Sequence, residues 1–187
     1  MIRAFWCQIE NVGDKITPYL IRKIFNDEPV ISDDPPRWFI AGSMAHHVKN
    51  GDIVCGVGSF DVAPVPRFVD AIGVRGPLTA KVLGVECLYG DGGLLLPYYY
   101  RPPKTVRKGI GVVPHYVDYA LARDMGCPNV IDVRQDVESF VNEISRYELI
   151  AASSLHGIVI AEAYGIPAVR ISFPTSTSIA SFRFKHK

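Results

Sequence analysis

Ser153-Ser154-Leu155-His156-Gly157-Ile158-Val159-Ile160-Ala161-Glu162-Ala163-Tyr164-Gly165-Ile166-Pro167-Ala168-Val169 is the stretch on which the reading of this chain turns. Ahead of it, Leu149-Ile150-Ala151-Ala152 is short and apolar, the pattern of a strand buried on both faces. After the serine pair the apolar run is long enough for a helix of about three turns, and Gly165 can supply the left-handed residue that ends it. The unit is strand, polar turn, buried helix, strand. Ser153 or Ser154 can cap the helix, which leaves first-turn amides near His156 and Gly157, where the helix dipole favours an anion. Gly157 there would let a ligand approach the backbone. On the turn alone two readings stand: an anion site containing a histidine, or an ordinary serine cap whose histidine donates to a neighbouring strand.

At 187 residues and 48% hydrophobic, the chain can bury a real core in one large domain or two small ones. A net charge of +1 without any lysine- and arginine-rich run gives no electrostatic footprint for nucleic acid, which is not expected as a partner. Cys7, Cys55, Cys87 and Cys127 are widely spaced, with no CxxC pair and no histidine at zinc-finger spacing. Neither a metal site nor a disulfide framework is expected. No apolar run reaches the ~18 residues of a membrane span, and Arg3, Gln8 and Glu10 interrupt any secretory segment. The expectation is a cytoplasmic protein.

Toward the amino terminus the same alternation repeats. Ala4-Phe5-Trp6-Cys7 reads as a strand, Asn11-Val12-Gly13-Asp14 as a turn, and Thr17-Pro18 as the opening of a helix through Phe25. Asn11 and Gly13 stand at the carboxyl end of a strand, where open α/β sheets bind ligands, although such turns are also common without one. Residues 38–43 and 52–59 are two further buried-strand patterns running into glycine and serine, expected to end at one sheet edge. Gly56-Val57-Gly58-Ser59 resembles a phosphate-binding glycine loop but lacks the third glycine and the following helix of a dinucleotide fingerprint. No nicotinamide cofactor is expected, and Gly58 and Ser59 are taken as ligand-side residues. His46 and His47 are adjacent, so their side chains should diverge, which argues against a paired metal role and for the surface or a cleft rim. Asp61 to Pro66 reads as irregular chain.

Residues 70–75 form a strand pattern with Arg75 at its tip, and Pro77 opens a helix to about Leu83. Arg75 either grips a carboxylate or phosphate with its planar fork or makes a structural ion pair. Cys87 to Pro97 is a short strand and a glycine-rich turn. Tyr98-Tyr99-Tyr100-Arg101-Pro102-Pro103-Lys104 is stiff and proline-rich, and the expected boundary falls there, giving halves 1–100 and 101–187. The second half restarts with a strand over residues 109–115, from Gly109 to His115, a helix from Val117 to Met125, a strand over Val130 to Val133 and an amphipathic helix from Val137 to Ile144. This alternation predicts an α/β protein of two Rossmann-like halves, each with a parallel sheet covered by helices, and a ligand cleft between them.

The Asn11-x-Gly13-Asp14 turn, AIGVRGPLT (71–79), YGDGGLLLP (89–97), VPHY (113–116), IDVRQD (131–136) and SSLHGIVIAEAYGIPA (153–168) resemble, in order and spacing, the polysaccharide pyruvyl transferase family, most closely its succinoglycan-type members. The resemblance implies a glycosyltransferase-B-like architecture and transfer of pyruvate from phosphoenolpyruvate onto a sugar as a ketal. It also implies a glycan acceptor, lipid-linked in the extreme case, met at the inner face of a membrane, and no cofactor beyond the donor. Such chemistry needs a cation, an array of backbone donors and a titratable group. His156 is the leading candidate for general acid, phosphate ligand or both, with His115 in reserve. Arg75, Ser153, Ser154 and Gly157 would bind the donor, and Asn11, Gly58 and Ser59 would line the cleft.

Two departures qualify the resemblance. Ser154 stands where many members carry an arginine before the leucine-histidine pair, so another cation must substitute. From Pro174 the sequence runs into Thr175-Ser176-Thr177-Ser178 and Phe182-Arg183-Phe184-Lys185, unlike the family's continuation, so the second half is expected to be shortened. A strand over Ala168 to Ser172 left uncovered would favour self-association. The competing readings are a nucleotide-sugar glycosyltransferase of the same architecture and a non-catalytic binding or assembly subunit.

Overall fold

Each named strand joins a sheet, and every pairing is parallel, as apolar strands separated by helices require. The computed structural model describes residues 1–60 and 67–174; the expected irregular stretch Asp61 to Pro66 and the tail from Thr175 lie outside them. Contacts gather into two units, one of Met1–Ile9 and Gly13–Gly92, the other of Glu10–Val12 with residues 93–174 of the described chain.

The first unit holds β1 (Ile2–Ala4), β2 (Pro29–Ile31), β3 (Trp38–Phe39), β4 (Ile53–Val57), β5 (Asp70–Val74) and β6 (Leu88–Tyr89), in the spatial order β2-β1-β3-β4-β5-β6. The chain steps outward from β1 to β2 and then returns past β1 to build the rest. That reversal leaves a switch point between the carboxyl ends of β1 and β3, where open α/β sheets take ligands. β1 lies two residues earlier than expected. Its ladder closes with Phe5 N donating to Trp38 O at 3.0 Å, and Cys7 has left the sheet to set its thiol 3.4 Å from Met44 Sδ. β2, which was not anticipated, is an edge strand opened by a proline, a place where a missing N–H costs little.

Helix α1 (Val12–Phe25) begins five residues before the expected Thr17 and carries Pro18 inside it. Proline in a helix interior costs about 3 kcal/mol through a lost hydrogen bond and a steric clash. The offset is burial: Ile16, Leu20 and Ile21 are fully enclosed, and Thr17 Oγ1 accepts from Ala41 N at 3.2 Å. Helix α2 (Pro77–Leu83) keeps its expected bounds, with proline in the first turn and Gly84 ending it at φ 70°.

The second unit holds a sheet in the order β7-β8-β9, from β7 (Ile110–Val113), β8 (Leu149–Ala152) and β9 (Ala168–Arg170). Its helices are α3 (Leu96–Tyr99), α4 (Tyr119–Asp124), α5 (Val137–Ile144) and α6 (Leu155–Ala163). The strand expected over Val130 to Val133 shrinks to one bridge, Val112 to Val130. The reason is local: Asp132 Oδ1 accepts from Arg134 N at 2.9 Å and from Arg134 Nε at 2.8 Å, which turns the chain away from the sheet. The helix expected from Val117 is split into a 3-10 turn, Tyr116–Asp118, and α4.

Helix α6 is apolar on every side, and each residue from Leu155 to Ala161 is buried. It ends as its sequence suggests. Gly165, at φ 65°, donates to Glu162 O at 3.0 Å while Ile166 N reaches back to Ala161 O at 2.8 Å, a Schellman closure. Arg107 covers the remaining carbonyls, donating to Tyr164 O at 3.1 Å and Gly165 O at 3.0 Å. The tyrosine-proline stretch is fastened at Tyr100, whose hydroxyl donates to Asn142 Oδ1 and whose carbonyl accepts from the Tyr164 hydroxyl, both at 2.9 Å. Burial pushes that Tyr164 phenol well above its ordinary value.

Candidate functional site

Among the described residues two buried arginine-aspartate pairs lie in the first unit, one at each edge of its sheet. Arg37 and Asp52 precede β3 and β4, at the amino edge, with side chains 1% and 0% exposed. Asp52 accepts from Arg37 N, Nε and Nη2 and from Lys49 N, and Arg37 Nη2 also donates to His47 O at 2.8 Å. Every charged group there is answered by protein, and the guanidinium lies 5.4 Å from the ring centroid of Phe5 and 5.0 Å from that of Phe39. The pair is structural.

Arg75 and Asp91 follow β5 and β6, at the carboxyl edge, and their side chains are each 4% exposed. Arg75 Nε donates to Asp91 Oδ2 at 2.7 Å and Nη1 to Ser43 Oγ at 2.8 Å. Nη2, though buried, has no hydrogen-bond partner among the described residues. A buried donor left unmade costs about 1–3 kcal/mol, so the free nitrogen calls for a physical reason. Arg75 thus makes a structural ion pair, and one of its nitrogens is left over.

The glycines around it explain the GxGS signal. A Cβ on Gly56, which sits at φ 108°, would stand 2.6 Å from Gly92 N and from Ile40 O. A Cβ on Gly58 would stand 2.5 Å from Arg75 Cζ. Gly58 N donates to Gly42 O at 2.8 Å and Gly58 O accepts from Ala45 N at 2.9 Å, so this amide is spent on the fold instead of being held out for a phosphate. Gly56 makes room for the Asp91-Gly92 turn and Gly58 for the guanidinium. Ser59 is buried beside them. His46 and His47, contrary to the expected divergence, set their rings 4.1 Å apart in a 3-10 turn, where both are exposed. Among the described residues no group of three or more His, Cys, Asp or Glu is arranged to hold a metal ion.

The carboxyl edge of the second sheet gathers the histidines. Ser154 caps α6, its hydroxyl accepting from Gly157 N at 3.3 Å, and His156 in the first turn is 7% exposed. Ser153 N and Ser154 N both donate to Val113 O, tying this turn to the end of β7. Ser153 Oγ donates to Asp118 Oδ2 and accepts from His115 N, each at 2.9 Å. His115 is itself buried, with its ring 4.3 Å from that of Tyr116. Gly157 has a use the sequence reading did not foresee: a Cβ there would stand 2.7 Å from Val113 Cγ1 and 3.1 Å from Ala152 Cβ, so the glycine lets α6 close down on β7 and β8. Asn11 is buried at the start of α1, and the next amide, Val12 N, donates to Val133 O at 2.6 Å.

His115, Ser153, Ser154, His156 and Gly157 therefore share one sheet edge, while Arg75, Gly58 and Ser59 share an edge in the other unit. Ser43, Asp91 and Asp118 escaped the sequence reading. Asp91 sits inside the quoted YGDGGLLLP and Asp118 two residues beyond VPHY, but nothing in a lone aspartate announces that it will be buried against an arginine or a serine.

The sequence profile described as polysaccharide pyruvyl transferase matches residues 11–173. The chain is 32% identical over 140 residues to the succinoglycan biosynthesis protein ExoV of Rhizobium meliloti (strain 1021), covering 69% of this chain and 43% of that protein. It is 25% identical over 186 residues to the uncharacterized protein L143 of Acanthamoeba polyphaga mimivirus, covering 87% of this chain and 64% of that one. The chain thus spans less than two thirds of either relative. No solved structure matches. The profile takes in both the Arg75 edge and the His156 edge, and on that match the chain belongs to the polysaccharide pyruvyl transferase family.

Proposed function

We propose that this chain acts as a pyruvyl transferase, moving pyruvate from phosphoenolpyruvate onto a sugar of an exopolysaccharide or surface-glycan precursor. The observation that carries the reading is the Ser154-capped start of α6, with His156 buried in its first turn at a carboxyl sheet edge, in a chain of this family. The name of the Rhizobium relative supports an exopolysaccharide acceptor. The glycosyltransferase-B-like class, the cytoplasmic location at a membrane's inner face, a lipid link on the acceptor, self-association and independence of any cofactor belong to the same proposal. Among the described residues no helix is long and apolar enough to cross a membrane.

The chemistry assigns roles. The first-turn amides of α6 and the helix dipole hold the donor phosphate, with Ser153, Ser154 and Gly157 fixing the turn. His156 delivers a proton to the methylene carbon, which becomes a methyl group, and the neighbouring carbon turns electrophilic. One sugar hydroxyl adds there and gives up its proton, the carbon-oxygen bond to phosphate breaks, and a second hydroxyl adds to close the ketal. The hydroxyl protons replace the one His156 gave and leave with inorganic phosphate. His115 is the reserve acid, Arg75 the cation for an anionic group of a substrate, and Asn11, Gly58 and Ser59 flank the ligand path.

Phosphoenolpyruvate should raise the thermal midpoint of the protein, uridine diphosphate should not, and His156→Ala should abolish transfer with an unchanged circular dichroism spectrum. Stabilisation by uridine diphosphate alone, or near-wild-type turnover by the alanine variant, sinks the reading.

A further inference from the structure

Asp118 is fully buried, and although it stands at the start of α4 its carboxylate makes no cap bond to that helix. It accepts from Ser153 Oγ at 2.9 Å, and the same hydroxyl accepts from His115 N at 2.9 Å. Asp118 N donates to His115 O at 2.8 Å, so both backbone groups of His115 are held, one directly and one through the serine. The result is a closed ring: His115 N–H to Ser153, Ser153 to Asp118, Asp118 N–H to His115 C=O. Ser153 immediately precedes the cap of α6, and both Ser153 N and Ser154 N donate to Val113 O. The ring therefore fastens the segment that bears His115 to the turn that bears His156.

We propose that Asp118 is a positioning residue, which acts through the Ser153 hydroxyl to fix the His115 segment against the first turn of α6. The proposal rests on the reading of that turn as the donor site. A serine hydroxyl facing a buried carboxylate has its single proton committed, so it cannot alternate between protein and ligand donors. Water would cost such a carboxylate less than burial does, and the burial persists because the ring satisfies groups on two segments at once. A simple packing role would be met as well by an apolar residue of the same size.

The test is made on the whole chain, by following the assigned His115 imidazole resonances and titrating phosphoenolpyruvate calorimetrically. Ser153→Ala and Asp118→Ala should each move the His115 resonances and weaken phosphoenolpyruvate by about tenfold, the loss expected when one buried partner is removed. Asp118→Asn, whose amide oxygen still accepts from Ser153, should recover most of both. Should Asp118→Ala not fold, Ser153→Ala removes the hydroxyl alone and carries the same comparison. A folded Ser153→Ala protein with unmoved His115 resonances and affinity within twofold overturns the proposal. A wild-type protein that does not bind phosphoenolpyruvate overturns the donor reading instead, while the resonances still decide this one.

Discussion

The guanidinium of Arg75 lies directly over the Cα of Gly58, so close that a Cβ on that glycine would stand 2.5 Å from Cζ. Gly58→Ala must push the arginine off Asp91 and Ser43 or bend the strand end. We expect it to cost about 1–3 kcal/mol in urea unfolding, the range for overpacking a well-filled site. Gly58 carries no left-handed φ, so its loss comes from the clash alone, and an unchanged urea midpoint for Gly58→Ala would mean that Gly58 makes no special room.

Arg37 and Arg75 should part company when each is replaced by glutamine. Removing one member of a buried pair leaves the other charge uncompensated, at about 3–5 kcal/mol, so both variants should unfold at lower urea. Only Arg75→Gln should also weaken phosphoenolpyruvate or inorganic phosphate, because only Arg75 keeps a nitrogen without a partner among the described residues. Calorimetric titration below the unfolding midpoint checks this. Anion affinity that falls equally in the Arg37 variant would count against a ligand role for Arg75.

The parallel α/β class and the β8-turn-α6 unit were legible because burial on both faces writes continuous apolar runs, and because Ser154 and Gly165 punctuate them. Helix α5 was read to the residue for a related reason, as Asp136 marks its start and its apolar face repeats at helical spacing. The opening helix was misread because Pro18 looks like a first-turn proline, and only the burial of Ile16, Leu20 and Ile21 shows why an internal one is tolerated. The strand at Val130 failed because Asp132 and Arg134 bond to each other, a choice that the apolar pattern around them does not record. At the site, Arg75 and His156 stood out by residue type and strand-end position. Asp91 and Asp118 did not, since what distinguishes them is their partners, 16 and 35 residues away.

Gly157→Ala separates two uses of a glycine in the first turn of α6. If the glycine serves helix-to-sheet packing, the new methyl 2.7 Å from Val113 Cγ1 should cost about 1–3 kcal/mol despite alanine's better helix propensity. Val113→Ala in the same chain should recover part of that loss by removing the facing methyl groups, measured as a double-mutant cycle. If the glycine serves only ligand approach, stability will be unchanged or improved and the cycle will show no coupling.

The Asp136 cap gives a prediction that depends on pH. Its carboxylate accepts from Ser139 N at 2.9 Å, and hydrogen bonds from the Ser139 side chain and backbone hold the carboxyl below its ordinary value. Because the folded value is the lower one, the ionised carboxylate favours the folded state. That contribution is whole above the unfolded value of about 3.9 and is lost as pH falls through the folded one. Asp136→Ala should therefore cost about 1 kcal/mol at neutral pH, as cap removals do. The gap between it and wild type should narrow steadily below about pH 4, while Asp136→Ser, which caps without a charge, should keep its advantage over Asp136→Ala through the same range. Urea midpoints of the three proteins from pH 7 down to pH 3 are the measurement. A wild-type advantage over Asp136→Ala that stays constant across that span would show that the cap works without its charge.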